Sequence, residues 1–286
     1  VSRPYPFADR RLAQRLERAE AHANRRFVEA RARVSPESRA CWTDVGGAYA
    51  MFDGVDSPLT QTFGLGMFEP VSAAQLEQLE TFFAGRGAPT FHEVSPLADA
   101  SAPGQLHARG YEPFEFTSVM YRPLRDEPEV QPGSPVHARL THAAEVDAWA
   151  RAAAEGWSEF AELQAFMLAF GGVIAAAEDG LTFVVDRGGR IEATAAMVVH
   201  DGIALLAGAS TVPDARRQGA QAALLAARLA EASARGCDIA MMCAQPGSGS
   251  QRNAERNGFR IAYTRLKWRR PASGRPRPPG ALSAAS

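Results

Sequence analysis

"TVPDARRQGAQAALLAARLA", residues 211–230, decides how this chain is read. A polar loop bearing Arg216, Arg217 and Gln218 runs through Gly219 straight into an alanine- and leucine-rich helix. The first amides of such a helix have no intrahelical acceptors and sit at the positive end of its dipole. A phosphate placed there accepts several hydrogen bonds at once. Gly219 lets a ligand approach the backbone, and Arg216 and Arg217 can add charge toward further phosphates. Alone, the hexamer DARRQG is too short to mark a site and reads more readily as a polar loop entering a helix, so its surroundings have to decide.

Those surroundings have a definite order. Before the loop, "LTFVVDRGGRIEATAAMVVHDGIALLAGAST" (181–211) reads as three strands joined by tight turns at Arg187–Gly189 and Asp201–Gly202. Two helices, over 143–157 and 159–172, precede them. The helix after Gly219 is expected to run to about Arg235, with Gly236 closing it. "CDIAMMCA" (237–244) is a nearly all-apolar strand suited to burial on both faces. A short helix over 249–259 and a strand over 260–270 follow.

The first half shows a similar alternation. Leu12, Leu16, Ala19, Ala23, Phe27 and Ala30 recur at three- and four-residue steps, which predicts a helix over 9–34. Strands are expected over 47–54, 61–68 and 88–94, with a helix over 72–84 opened by Ser72 as N-cap. A short helix and one or two strands fill 105–124. "ARGYEPFEFTSVMYRP" (108–123) lines up with the end of the second half at an offset of 148, pairing Gly110 with Gly258, Tyr111 with Phe259, Arg122 with Arg270 and Pro123 with Pro271. That pattern suggests an internal duplication. The expected organisation is two domains, 1–124 and 136–270, with a Pro/Gly-rich linker at 125–135 and a disordered tail at 271–286.

Composition narrows the class. A chain of 286 residues that is 46% hydrophobic and 22% charged has enough apolar material for one large or two ordinary globular cores. A net charge of −1 argues against nucleic acid as the main partner. Lys267 is the only lysine, so the basic side chains are nearly all arginine. Cys41, Cys237 and Cys243 are too few and scattered for a disulfide framework, and no metal site is expected. No apolar run reaches membrane-spanning length and the N-terminal residues lack a signal-peptide core, so the expected compartment is the cytoplasm, with no membrane partner. Nothing in the sequence indicates a homodimer.

With the order of elements on the page, "TVPDARRQGAQAALL" resembles motif A of the GNAT N-acetyltransferase superfamily, a hydrophobic residue, x, Pro, then Arg/Gln-x-x-Gly-x-Gly/Ala. Thr211, Pro213, Arg216 and Gly219 occupy the matching places, and "NAERNGF" (253–259) resembles the short helix of motif B. The resemblance covers roughly 136–270. It implies an α/β (α+β) fold of two GNAT-like domains, each a mixed, mostly antiparallel sheet flanked by helices. It also implies acetyl-CoA as co-substrate; the leading expectation is transfer of its acetyl group to a primary amine of a small molecule, an acceptor that the sequence does not identify. The cofactor-binding residues it implies are Ala209, Ser210, Thr211, Val212, Arg216, Arg217, Gln218, Gly219, Ala220, Gln221, Ala222, Ser250 and Asn253. Trp157, Glu159 and Phe160 fall where the family shapes its acceptor pocket.

There are two departures from the family's pattern. Gln221 stands where the motif ends in a small residue, and Ala254 stands where many members carry a tyrosine that protonates the leaving thiolate. Tyr263, Ser250, Asn253 or solvent are the candidate substitutes for that acid, and Glu192 is the candidate base. The missing tyrosine keeps a non-catalytic acyl-CoA-binding module or sensor open as the alternative. A P-loop nucleotide site is disfavoured, because no Gly-Lys-Ser/Thr follows the loop. The first half has no Arg-x-x-Gly, and Glu69 brings negative charge to the equivalent loop, so 1–124 is read as a degenerate copy.

Overall fold

A computed structural model describes residues 4–124, 136–159 and 161–271, with the backbone alone described for 161–165. The expected linker 125–135, Phe160, and the tail beyond Pro271 lie outside the described residues. In chain order the elements are α1 (Arg10–Val34), β1 (Cys41–Val45), β2 (Ala48–Phe52), β3 (Thr62–Phe63), α2 (Ala73–Ala84), β4 (Phe91–Val94), α3 (Ser101–Ala108) and β5 (Glu112–Pro123). Then come β6 (Ala138–Leu140), α4 (Val146–Gly156), α5 (Ala161–Ala176), β7 (Gly180–Arg187), β8 (Arg190–His200), β9 (Ile203–Thr211), α6 (Ala220–Ala234), β10 (Ile239–Ala244), α7 (Gly249–Arg256) and β11 (Arg260–Arg269). No described helix is long and apolar enough to cross a membrane.

The chain divides into two compact units that do not follow sequence order. One, the loop unit, is Val1–Tyr5 with Arg122–Met242; the other, the split unit, is Pro6–Tyr121 with Cys243–Ser286. In the loop unit the strands lie in the order β10-β9-β8-β7-β6. All its neighbours are antiparallel except the β9–β10 pair. In the split unit the order is β1-β2-β3-β4-β11-β5, with only β3–β4 parallel. The mixed, mostly antiparallel α/β class expected from the sequence is the class observed.

The chain's last strand departs from the expected division. β11 was assigned with 136–270, yet it lies between β4 and β5, pairing Leu266 with Val94 on one side and with Phe116 on the other. Alternation of apolar and polar residues predicts a half-buried strand without naming the sheet that takes it. Here the inserted strand brings Trp268 into the apolar core of the split unit, beside Leu76, Leu79, Phe83 and Leu106.

The suspected repeat has a structural counterpart at Gly110 and Gly258. Both adopt a φ of +79° just past the ends of α3 and α7. The next residues make the same return bond, Tyr111 N–H to Leu106 O and Phe259 N–H to Ala254 O, each at 3.0 Å. This is the Schellman-type ending, for which a glycine in the left-handed region is the ordinary solution. The two strands launched by these turns then pair antiparallel with each other.

α1 matches its periodicity. Asp9 caps it by accepting from Leu12 N–H at 2.8 Å, and Leu12, Leu16, Ala19, Ala23, Phe27 and Ala30 are all buried. The strand expected over 61–68 is reduced to Thr62–Phe63, and the short strands β1 and β6 were not anticipated.

Candidate functional site

The loop ahead of α6 folds back on itself through two left-handed residues. Arg217 has φ +64° and Gly219 +87°. Gly219 is the N-cap of α6 and supplies no side-chain cap. The first helical bond runs from Ala223 N–H to the carbonyl of the N-cap, Gly219. Among the described residues, the N–H groups of Arg217 and of Gly219 to Ala222 have no acceptor within the protein, and Gln218 N–H closes the turn over Arg216 and Arg217. Free donors gathered at a helix N-terminus form an anion cradle. A Cβ built on Gly219 meets only Val136, at 3.8 Å, so the glycine answers the backbone angle and leaves open space before the amides.

The matching helix of the split unit is closed. There Ser72 and Gln75 form a reciprocal capping box at the start of α2, and the Gln75 amide also donates to Glu69 at 3.2 Å. Side chains take up the donors that an anion would need.

The strand leading to the cradle is irregular in a useful way. β8 and β9 pair Thr194 with Ser210 and Ala196 with Ala207, so Ala195 faces two residues, Gly208 and Ala209. Gly208 has φ +59°, which makes this a glycine-type β-bulge that re-aims the backbone. On its other side β9 pairs with β10 only over Ile203–Leu205 and Ile239–Met241. Among the described residues no strand pairs with that edge of 206–211, which leaves peptide groups for an extended ligand. An isolated glycine inside a strand pattern was the available signal for the bulge.

The side chains of the expected cofactor residues mostly brace the loop. Ser210 shares a hydrogen bond with Thr194 at 2.9 Å and donates to Ala153 O at 3.3 Å. Val212 is buried beside Ala152 and Ala215, and its N–H donates to Glu192 O at 2.9 Å. Gln221, the departure from a small residue, donates to Thr211 Oγ1 at 2.7 Å. Gln218 accepts from Arg187 at 2.6 Å and donates to Asp214 O at 3.2 Å. Ala209 lies in the bulge, and Ala220 is buried at the helix start with Ala222 exposed. Gly156, which sequence reasoning missed, ends α4 so close to β9 that a Cβ there would stand 2.6 Å from Ser210 Oγ. Trp157 is buried, and Glu159 accepts from Arg216 at 2.8 Å.

The expected catalytic residues belong to different units. Glu192 pairs with Arg187 at 3.5 Å. It lies three residues before Ala195 on β8, about 10 Å along the strand at the usual rise per residue. Ser250, Asn253 and Tyr263 belong to the split unit. There the Tyr263 hydroxyl donates to Glu17 Oε1 at 2.8 Å, and burial, with the Glu17 carboxylate next, holds its pKa well above the ordinary phenol range. Arg265, buried beside it, contacts Glu17 at 3.3 Å, Glu93 at 2.7 Å and Glu20. Burial raises the Glu17 carboxyl to about 7, against the opposing pull of Arg265. Cys243 stands in the same cluster, its thiol donating to Glu20 at 3.5 Å, and burial pushes its pKa up.

Three strands, a bulged edge, a free-amide loop, a helix and a parallel strand that parts from its neighbour form a recognisable arrangement. Solved structures share the fold over most of their length. A GCN5-related N-acetyltransferase from Kribbella flavida superposes with a TM-score of 0.58 at 21% identity, covering 85% of this chain and 95% of its own. The chain has the fold of the GCN5-related N-acetyltransferases. A second such structure, from Sphaerobacter thermophilus, matches at TM-score 0.52 and 19% identity over 78% of this chain and 77% of its own. A putative acetyltransferase of the GNAT family from Novosphingobium aromaticivorans matches at 0.51 and 17% over 85% and 96%. No protein-family model matches the sequence, and no curated protein matches it.

Proposed function

We propose that this GNAT-fold chain is an acetyl-CoA-dependent N-acetyltransferase acting on a primary amine of a small molecule. The observation that carries the proposal is the set of free N–H groups at Arg217 and Gly219–Ala222, one strand-end away from the bulge at Gly208–Ala209. A CoA pyrophosphate fits these amides, and the pantetheine amides fit the unpaired edge of 206–211. A bulge N–H then stabilises the oxyanion that forms when the amine attacks the thioester carbonyl. Catalysis on this reading is mostly positioning, with solvent or a side chain beyond the bulge removing the amine proton. The tandem organisation inferred from the repeat belongs to the same proposal: the loop unit carries the donor site and the first half is a degenerate copy.

A binding module without turnover is the second reading. Ala254 is fully buried where the family's acid would stand, and Tyr263 already has its proton committed to Glu17. A screen of amines for acetyl-CoA-dependent thiol release separates the readings. Release above the hydrolytic background supports the enzyme; saturable acetyl-CoA binding with no release across the screen supports the module.

A further inference from the structure

Arg216 opens the cradle loop, and its charge would be expected to reach a phosphate. Its guanidinium is engaged elsewhere. Nε donates to Thr211 O at 3.3 Å, Nη2 to Gly156 O at 3.1 Å, and Nη1 pairs with Glu159 Oε1 at 2.8 Å. These partners belong to three different segments: the end of β9, the last residue of α4, and the connection into α5. The contact they tie together is tight, since a Cβ on Gly156 would lie 3.1 Å from Thr211 N. A planar fork with several fixed donors can bridge three acceptors in this way; an ammonium on a flexible stem cannot hold the same geometry.

We infer that Arg216 and Glu159 are positioning residues, a clasp that holds the amide-lined loop in its binding shape from the α4–α5 side. The inference rests on the acetyl-CoA reading of the loop and deepens it. The strained start of the cradle, Arg217 in the left-handed region, follows directly on the clasped residue. Releasing the clasp lets 217–219 relax, and the amides then no longer converge on one anion. The segment expected to meet the acceptor is thereby tied to the donor loop through one ion pair.

The sign of one substitution tests this. Glu159 is a carboxylate, more than half exposed, close to a site for an anion. As a bystander it opposes acetyl-CoA binding, and neutralising it tightens the complex. As half of a clasp, neutralising it loosens the loop and weakens the complex. The measurement is calorimetric titration of the full chain with acetyl-CoA at low and moderate salt, for wild type, Glu159→Gln, Arg216→Met, Arg216→Lys and the Glu159→Gln/Arg216→Met double variant. The clasp predicts a Kd weakened about three- to fivefold by Glu159→Gln, the scale of an exposed ion pair. It predicts about tenfold for Arg216→Met, with the double variant no weaker than Arg216→Met alone. Arg216→Lys does not rescue, and the salt dependence of Kd stays that of wild type in Arg216→Met, because no phosphate contact is lost. Unchanged or tighter binding by Glu159→Gln overturns the clasp, as does a shallower salt dependence in Arg216→Met. Absence of binding by the wild type overturns the acetyl-CoA reading and the clasp with it. Should Arg216→Met fail to fold, the exposed Glu159→Gln variant decides alone.

Discussion

The hydroxyl of Tyr263 on β11 donates to a carboxylate oxygen of Glu17 on α1 at 2.8 Å, joining residues 246 positions apart. Around that bond Arg265 gathers three carboxylates in the buried interior of the split unit. This polar core is where the last strand is recognised by the first helix.

Stability should depend on pH through Glu17. Burial raises its folded-state pKa from 4.5 to about 7, so between those values the folded chain binds more protons than the unfolded one. Stability therefore falls as pH rises from about 4.5 to 7 and levels off above it. The span of the shift corresponds to roughly 3 kcal/mol. Denaturant unfolding at pH 5 and pH 8 checks this: wild type should lose part of its stability at the higher pH, and Glu17→Gln should lose much less of it. A wild-type profile that rises over this range would contradict the assignment.

Arg265→Leu leaves Glu17, Glu20 and Glu93 without their buried cation. Breaking one partner of a buried ion cluster costs about 3–5 kcal/mol. The variant should unfold at much lower denaturant than wild type, with part of the loss recovered at acidic pH as the carboxyls take up protons. Equal stability across pH would show that the cluster does not hold β11.

Ser210→Ala separates bracing from binding. The hydroxyl joins Thr194 and Ala153, and its loss strands the fully buried Thr194 hydroxyl. A cost of about 1–3 kcal/mol in stability is expected, with the acetyl-CoA Kd within twofold of wild type. A tenfold weaker Kd at unchanged stability would make Ser210 a ligand instead.

Gly208→Ala tests the bulge. The residue is left-handed, and an added Cβ would approach the Phe170 ring to 3.2 Å. The backbone preference alone costs about 1–2 kcal/mol. If the bulge N–H serves the thioester carbonyl, amine-dependent thiol release should fall well beyond any change in Kd.

Much of this was legible in the sequence because it rests on local rules. The three- and four-residue spacing of Leu12, Leu16 and Phe27 gave α1, Gly219 marked the entry to α6 but not its left-handed angle, and the offset of Gly110 and Gly258 exposed the repeated helix ending. What was not legible depends on long-range choices. Nothing in the alternation of β11 says that it pairs with β4, some 170 residues earlier in the chain, as Leu266 does with Val94. The charge of Arg216 suggested a phosphate ligand, but three acceptors from distant segments claim it. The motif's small-residue place says nothing of where Gln221 sends its side chain, which donates to Thr211. β6, at three residues, is too short to show a period.

The central claim is that the free amides within 217–222 hold the pyrophosphate of acetyl-CoA, and calorimetric titration of the full chain beside a Gly219→Glu variant tests it most directly. Glutamate at this position strains a φ of +87° and places a carboxylate before the cradle. The account predicts one site per chain in the wild type, lost in the variant. No binding by the wild type near millimolar acetyl-CoA, or equal binding by the variant, would contradict it.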